Sequence, residues 1–251
     1  MNKMINKVPE VTLTFWIIKI LATTVGETAA DYLSATLNLG LTITSYIMAG
    51  ILLIVLMFQF RAKKYVPGIY WGAVVLLSIV GTLISDNLVD NLGVALSATS
   101  IIFGFALIVV FIWWYVSERT LSVHKIDTVP REFFYWAAIL FTFSLGTSAG
   151  DLISESSGLG YGYATLLFAA AIGIVFLAYK YLKMNSILAF WLAYILTRPL
   201  GASLGDLLSQ KVKVGGLGFG TTVTSIVFLL TILSLVIYLT INRKKLSLVK
   251  V

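Results

Sequence analysis

Four segments of this 251-residue chain share one spacing, in which a tryptophan is followed by nine residues, a glycine, four residues and an aspartate. The spacing recurs without a gap, which indicates a repeated structural unit and not a chance match. Each copy continues into a short connection, a Leu-Gly pair and a second apolar stretch. The four copies are Trp16, Gly26 and Asp31; Trp71, Gly81 and Asp86; Trp136, Gly146 and Asp151; and Trp191, Gly201 and Asp206.

The repeated spacing lies within apolar stretches of about 20 residues, the length that crosses the hydrocarbon core of a bilayer as a helix. The chain is 59% hydrophobic and 12% charged, and its mean hydropathy of +0.97 lies outside the range of soluble domains. We therefore predict an all-α membrane protein, with residues 1–251 forming a single transmembrane domain. The predicted spans are roughly 11–32, 41–60, 67–86, 95–117, 132–152, 161–179, 185–206 and 219–241.

Two spans make up each repeat, so the predicted unit is a helical hairpin. The repeats cover about residues 10–64, 65–125, 130–184 and 185–248. A unit that crosses twice returns to its starting side, so all four units have the same orientation. We expect them to be related by a pseudosymmetry axis along the membrane normal, as in transporters with parallel repeats.

The four tryptophans in tandem two-helix units resemble a family of bacterial multi-pass membrane proteins classed as a repeat of unknown function. The resemblance covers residues 10 to about 245, nearly the whole chain. It implies the fold and a bacterial cytoplasmic membrane as the location. It implies no activity, cofactor or site residue, so function has to be inferred from the residues themselves.

Basic residues predict the orientation. Fourteen of the 18 Lys and Arg fall at the amino terminus, in the even-numbered connections or at the carboxyl terminus. By the positive-inside rule that side is cytoplasmic, and both termini lie inside. These residues are Lys3, Lys7, Arg61, Lys63, Lys64, Arg119, Lys125, Arg131, Lys180, Lys183, Arg243, Lys244, Lys245 and Lys250.

Acidic residues cluster at the other ends of the odd-numbered spans. A carboxylate near the carboxyl end of a helix meets the negative end of the dipole, so four aspartates at equivalent positions need another explanation. Ionisable residues in spans mark ion or substrate pathways. We predict an ion-binding site, and hypothetically a metal site, formed by Glu27, Asp31, Asp86, Asp151 and Asp206. The whole acidic set is Glu27, Asp31, Asp86, Asp90, Asp151, Glu155 and Asp206.

Two basic residues lie within spans, and we predict that they compensate the carboxylates. Lys19 shares one side of the first helix with Thr23, Glu27 and Asp31, at a spacing of four residues. Arg198 precedes a proline near the middle of the seventh span, where proline favours a broken helix of the kind found at transporter sites. The alternative is that Arg198 pairs with Glu27 or a motif aspartate and only fixes helix packing.

Other repeat residues have predicted supporting roles. Hydroxyls near the carboxylates could add oxygen ligands, as at Thr23, Ser148 and Ser203. The motif glycines Gly26, Gly81, Gly146 and Gly201 are expected to permit close helix packing, with release of backbone carbonyls for an ion as the secondary interpretation. The tryptophans Trp16, Trp71, Trp136 and Trp191 are expected to anchor the chain at the headgroups on the cytoplasmic side.

Three functions are compatible with these residues. A transporter for Mn²⁺, Mg²⁺ or H⁺ fits a set of hard oxygen ligands in a chain without cysteine, and it is the prediction we favour. A channel with an aspartate ring and an intramembrane aspartyl hydrolase are the alternatives. The predicted partners are the lipid bilayer and a small cation, and we expect no nucleic acid, no cofactor and no enzymatic activity. The sequence is compatible with a homo-oligomer.

Overall fold

A computed structural model describes residues 6–248. Lys3 and Lys250, which contribute to the charge pattern, lie outside these residues, and the side chains of Glu155 and of residues 243–248 are not described either. Within the described range the chain is helical and has no strand. The long helices are α1 (Leu13–Asp31), α2 (Leu41–Arg61), α3 (Pro67–Asp86), α4 (Leu96–Glu118), α5 (Val129–Asp151), α6 (Tyr161–Tyr181), α7 (Ser186–Ser209) and α8 (Thr221–Leu248).

These eight helices are each long and apolar enough to cross a membrane, and they confirm the predicted spans to within a few residues at most ends. Local signals set several of the starts. Thr12 caps α1 by accepting a hydrogen bond from the Phe15 amide at 3.3 Å, and Asn185 caps α7 by accepting from the Ile187 amide at 2.9 Å. Both α3 and α5 have a proline in the first turn. Proline is suited to this position because a backbone N–H there would have no partner within the helix.

The odd-numbered helices form an inner ring in the order α1, α3, α5, α7, with α7 packed back against α1. Each even-numbered helix lies outside this ring against the odd helix of the next repeat, so α2 packs on α3, α4 on α5, α6 on α7 and α8 on α1. The two long helices of one repeat barely touch each other. The predicted hairpins are therefore splayed and interlocked, and α8 completes the outer layer by packing on α1.

Burial follows this arrangement. Over its most apolar stretch each odd helix is 56–67% buried within the protein, whereas each even helix is 11–17% buried. The exposed sides of the even helices carry large apolar residues, among them Ile51, Phe105, Phe176 and Leu230. Such surfaces suit lipid as the surrounding solvent, so the inner ring is the protein core and the outer helices are its lipid-facing layer.

The motif glycines lie at close contacts between neighbouring inner helices. A Cβ added at any of the four would overlap the residue seven positions after the tryptophan of the next repeat. This confirms the predicted packing role, because small residues let backbones come together in membranes. The overlapping pairs are Gly26 with Ser78, Gly81 with Phe143, Gly146 with Arg198, and Gly201 with Thr23.

Two local predictions are corrected. The α7 helix is continuous from Ser186 to Ser209 with Pro199 inside it, so the predicted break is wrong. Proline is tolerated within a span when surrounding helices hold the backbone, and α1, α5 and α6 all pack on α7. The headgroup anchoring also fails for Trp71, Trp136 and Trp191, which are at most 4% exposed and contact protein.

Candidate functional site

The carboxylates predicted from the repeat come together at one end of the inner ring. A cavity of about 150 Å³ is lined there by Glu27 and by all four motif aspartates. We call it the acidic vestibule and the end of the bundle that carries it the acidic end; the opposite end, with the lysine- and arginine-rich connections, is the basic end. The complete lining is Glu27, Asp31, Asp86, Val89, Asp90, Leu96, Asp151, Asp206 and Gln210.

The fixed spacing of the repeat explains this convergence. Each motif aspartate lies fifteen residues after its tryptophan, so four neighbouring inner helices present a carboxylate at the same level. Asp31, Asp86 and Asp151 each end an α-helix that continues as one π-helical turn, and they are half-buried. Asp206 lies inside α7 and is 5% exposed. Because the chain stays helical beyond these residues, none of the four aspartates is the last residue of its helical segment.

The vestibule is strongly asymmetric in charge. Six carboxylates line it, and no lysine or arginine is among its described lining residues. Gln210 donates a hydrogen bond from Nε2 to Asp31 Oδ2 at 3.4 Å. Carboxylates grouped in a cleft with low-dielectric walls concentrate the field and raise the local concentration of cations. The arrangement thus attracts cations and repels anions.

The carboxylates are nevertheless not assembled as a metal centre. In the described part of the chain, no three Asp, Glu, His or Cys side chains are close enough together to hold one metal ion. Direct coordination by several of the predicted ligands would require the helices to move inward. As it stands, the vestibule suits a cation that keeps its water shell, as Mg²⁺ does in proteins.

Glu27 lies at the floor of the vestibule, and the fully buried Arg198 lies directly beneath it. Its Nη2 lies 2.9 Å from Glu27 Oε2, and its Nη1 donates to the Thr23 carbonyl at 3.0 Å. The hydroxyls of Thr82 and Thr147 also lie within hydrogen-bond distance of Nη2, which has two hydrogens for its three neighbouring oxygens. One guanidinium on α7 therefore contacts α1, α3 and α5 together, which places it on the pseudosymmetry axis and closes the vestibule towards the basic end.

The contacts of Arg198 answer one question that the sequence left open. The ion pair with Glu27 exists, so the predicted pairing is confirmed. Thr82 and Thr147 occupy the repeat position of Glu27, one residue after the motif glycine, and sequence analysis did not single them out as partners. Alignment of the repeats could have identified them, because three of the four repeats have a hydrogen-bond acceptor at this position.

Lys19 does not pair with the carboxylates. Its Nζ lies 4.2 Å from the ring centroid of Phe143 and 4.1 Å from that of Tyr194, and it has no hydrogen-bond acceptor among the described residues. Lys19 is two helical turns before Glu27 on α1, and therefore on the basic side of Arg198. Its predicted compensation of the carboxylates is not seen, because aromatic faces and not oxygens surround the ammonium group.

Replacement of Lys19 by methionine is expected to keep or raise the thermal unfolding midpoint of the protein in detergent. Methionine fills similar space between Phe143 and Tyr194 without a buried ammonium, whose desolvation the two cation–π contacts offset only in part. Thermal unfolding followed by tyrosine and tryptophan fluorescence checks this. A loss as large as that caused by removing Arg198 would show that Lys19 has a partner essential to the fold.

Three hydroxyl residues that were predicted to support the site remain. Thr23 lies beside Arg198, and the two serines lie within the helix packing. Thr23 donates from Oγ1 to the Thr197 carbonyl at 3.1 Å, beside the carbonyl that Arg198 uses. Ser148 donates to the carbonyls of Ser144 and Leu145 in its own helix. Ser203 is buried, and neither it nor Ser148 lines the vestibule. The two serines therefore lie outside the site as the structure forms it.

An aromatic layer that sequence analysis missed fills the axis on the basic side of Lys19. The residue before each motif tryptophan is aromatic, and all four side chains are at most 8% exposed. The Oη atoms of Tyr70 and Tyr135 lie 2.5 Å apart at the centre of the layer. The repeated aromatic-Trp pair was the available signal. The four residues are Phe15, Tyr70, Tyr135 and Phe190.

Comparison with known proteins supports the repeat and goes no further. The model of a family described as Repeat of Unknown Function (DUF347) matches four times, at residues 14–65, 69–120, 134–185 and 189–245. No curated protein and no solved structure matches the chain. The four matches follow the four pairs of helices and cover most of the sequence.

Proposed function

We propose that this chain, which belongs to the family described as Repeat of Unknown Function (DUF347), transports a small cation that enters through the acidic vestibule. The family description names no activity, so the proposal depends on the site. One observation carries it: carboxylates from all four repeats line a single cavity on the axis, above a buried Glu27–Arg198 ion pair. With the basic end cytoplasmic, in a bacterial inner membrane with both termini inside, the vestibule faces outwards.

The chemistry of the lining favours a hard cation. The vestibule offers carboxylate oxygens and one amide, and the chain has no cysteine. Oxygen ligands suit Mg²⁺, Mn²⁺ or a proton, whereas copper and zinc favour thiolate or imidazole. The lack of a close carboxylate cluster in the described residues fits a hydrated ion, bound through water when it first enters.

The Glu27–Arg198 pair supplies a mechanism for opening. A cation that reaches the floor of the vestibule competes with the guanidinium for Glu27. Loss of that contact removes one of the bonds by which Arg198 holds α1, α3 and α5 together. Glu27 would bind the Arg198 guanidinium and the substrate ion in turn, which gives an exchange cycle. The protein opens only when the ion has replaced the arginine.

A permanently open channel is the weaker alternative. Arg198, Lys19 and the Tyr70–Tyr135 pair occupy successive levels of the axis, and all four side chains are fully buried. A cation pathway along this axis therefore requires a conformational change. The hydrolase alternative has no specific support, since a dyad needs one distinct pair of carboxylates, whereas all four repeats contribute an aspartate to the same cavity. The expectation that the protein is not an enzyme stays a prediction.

Ion flux into proteoliposomes tests the proposal. Purified protein is reconstituted and uptake of Mn²⁺, Mg²⁺, Ca²⁺, K⁺ and H⁺ is measured for wild type, Asp31→Asn and Asp151→Asn. We expect saturable uptake of one ion, reduced at least about tenfold by either substitution, because each removes a charge from the binding cavity. Glu10→Gln is the matched control. This substitution also removes one negative charge, but Glu10 is exposed at the basic end, far from the vestibule.

The outcomes separate the alternatives. Saturation with dependence on both aspartates supports a carrier with its site in the vestibule. Flux that rises linearly with ion concentration to high rates supports the channel. Wild-type uptake in both aspartate variants, or no uptake of any of the five ions by folded wild-type protein, contradicts the proposal.

A further inference from the structure

A second recess lies at the basic end, outside the inner ring. It is a groove of about 470 Å³ between α4 and α7, and most of its lining is apolar or aromatic. Phe111, Trp191, Leu192 and Ile195 form its wall, and Arg119 and Asn185 lie at the end nearest the basic connections. Because α4 belongs to the lipid-facing layer, the groove opens towards the membrane and not towards the axis.

The repeats place an equivalent of this groove elsewhere in the protein, and there the chain itself occupies it. One repeat earlier, the equivalent place lies between α2 and α5, and the chain before α1 occupies it. Lys7 there is 1% exposed, with its Nζ 2.5 Å from Glu132 and 3.0 Å from the Phe60 carbonyl. The outer helix α8 packs directly against α3, the inner helix that corresponds to α7 in the α4–α7 arrangement. Between α4 and α7 no described segment of the chain fills the space.

The charge at the mouth of the groove is positive. Arg119 directly follows α4 and has φ +55°, a left-handed conformation that glycine or asparagine would adopt more easily. It has no ion pair among the described residues, and the neighbouring Glu118 pairs with Arg131 at 2.7 Å. Lys180 and Lys183 follow at the same end of the bundle.

We propose that this groove binds an anionic phospholipid from the leaflet at the basic end. An acyl chain lies against Leu192 and Trp191, and the headgroup phosphate contacts the Arg119 guanidinium. Apolar recesses between spans that carry arginine at headgroup level have this recognition chemistry. The proposal is independent of cation transport, because no residue of the groove lines the acidic vestibule.

Native mass spectrometry of the delipidated full-length protein tests the site. Phosphatidylglycerol and phosphatidylcholine with identical acyl chains are titrated against wild type, Arg119→Gln, Leu192→Trp and Lys64→Gln. We expect wild type to prefer phosphatidylglycerol and Arg119→Gln to weaken that binding about tenfold, the effect of losing one charge-assisted hydrogen bond. Leu192→Trp should reduce binding of both lipids by filling the groove.

Lys64→Gln is the matched control. Lys64 is the residue of the first repeat that corresponds to Arg119 and is exposed, but the space beside it is already filled by the chain before α1. Its loss should leave phosphatidylglycerol binding unchanged. Equal binding of the two lipids by wild type, or the same binding by Arg119→Gln as by Lys64→Gln, would overturn the proposal. This comparison holds even if Leu192→Trp does not fold.

Discussion

Replacement of Arg198 by methionine is expected to lower the free energy of unfolding by about 3–5 kcal/mol, the range for removing one partner of a buried ion pair. Glu27 would remain 6% exposed without its guanidinium, and the hydroxyls of Thr82 and Thr147 would lose their donor. Unfolding in mixed micelles, followed by circular dichroism as the fraction of sodium dodecyl sulfate rises, measures the effect.

A double-mutant cycle identifies the cause of that loss. Glu27→Gln combined with Arg198→Met should be less destabilised than the sum of the single variants, because no carboxylate is left buried without a partner. Arg198→Lys should fall between wild type and methionine, since an ammonium group cannot reproduce the planar fork that reaches three helices. Additive losses in the cycle would contradict a direct Glu27–Arg198 interaction.

The second large effect is expected from Gly201→Ala. A Cβ at Gly201 would overlap Thr23 on α1, including its backbone carbonyl carbon at 2.9 Å, so α1 and α7 must move apart. Overpacking of this kind costs about 1–3 kcal/mol. Because α1 and α7 also carry Glu27 and Arg198, we expect the ion pair to be disturbed and cation uptake to fall together with stability.

Gly50→Ala and Gly173→Ala provide the controls in the same micelle titration. Both glycines lie within even-numbered helices, α2 and α6, and a Cβ at either position meets no atom within 4 Å. Alanine has the higher helix propensity, so neither substitution should lower the free energy of unfolding. If Gly201→Ala behaves like these two variants, the close approach of α1 and α7 has no energetic importance.

The helices were predictable because the relevant physics is local. An apolar run of about 20 residues has to satisfy its backbone hydrogen bonds internally once it is in lipid, and a helix does this without reference to the rest of the chain. Pro199 shows where the local argument fails. Proline weakens a helix by removing one donor, but three packed neighbours hold α7 continuous through it.

The positions of the aspartates in the candidate site were also predictable, but the partners of the basic side chains were not. The repeat fixes a register, so equivalent residues reach one level, and the convergence of Asp31, Asp86, Asp151 and Asp206 follows from the spacing. The direction of a long side chain does not follow from spacing. Lys19 shares the polar side of α1 with Glu27, yet its ammonium group lies between two aromatic rings of other repeats.

The sequence by itself determined eight apolar helices, four equivalent repeats, and the levels at which glycines and carboxylates recur. Only the tertiary structure decided that each outer helix packs on the next repeat, that α7 closes the inner ring against α1, and that α8 packs on α1 from outside. It also decided that Arg198 and not Lys19 pairs with Glu27. The reason is that register and hydrophobicity are properties of each segment, whereas partner choice depends on the distances that ring closure imposes on four segments at once.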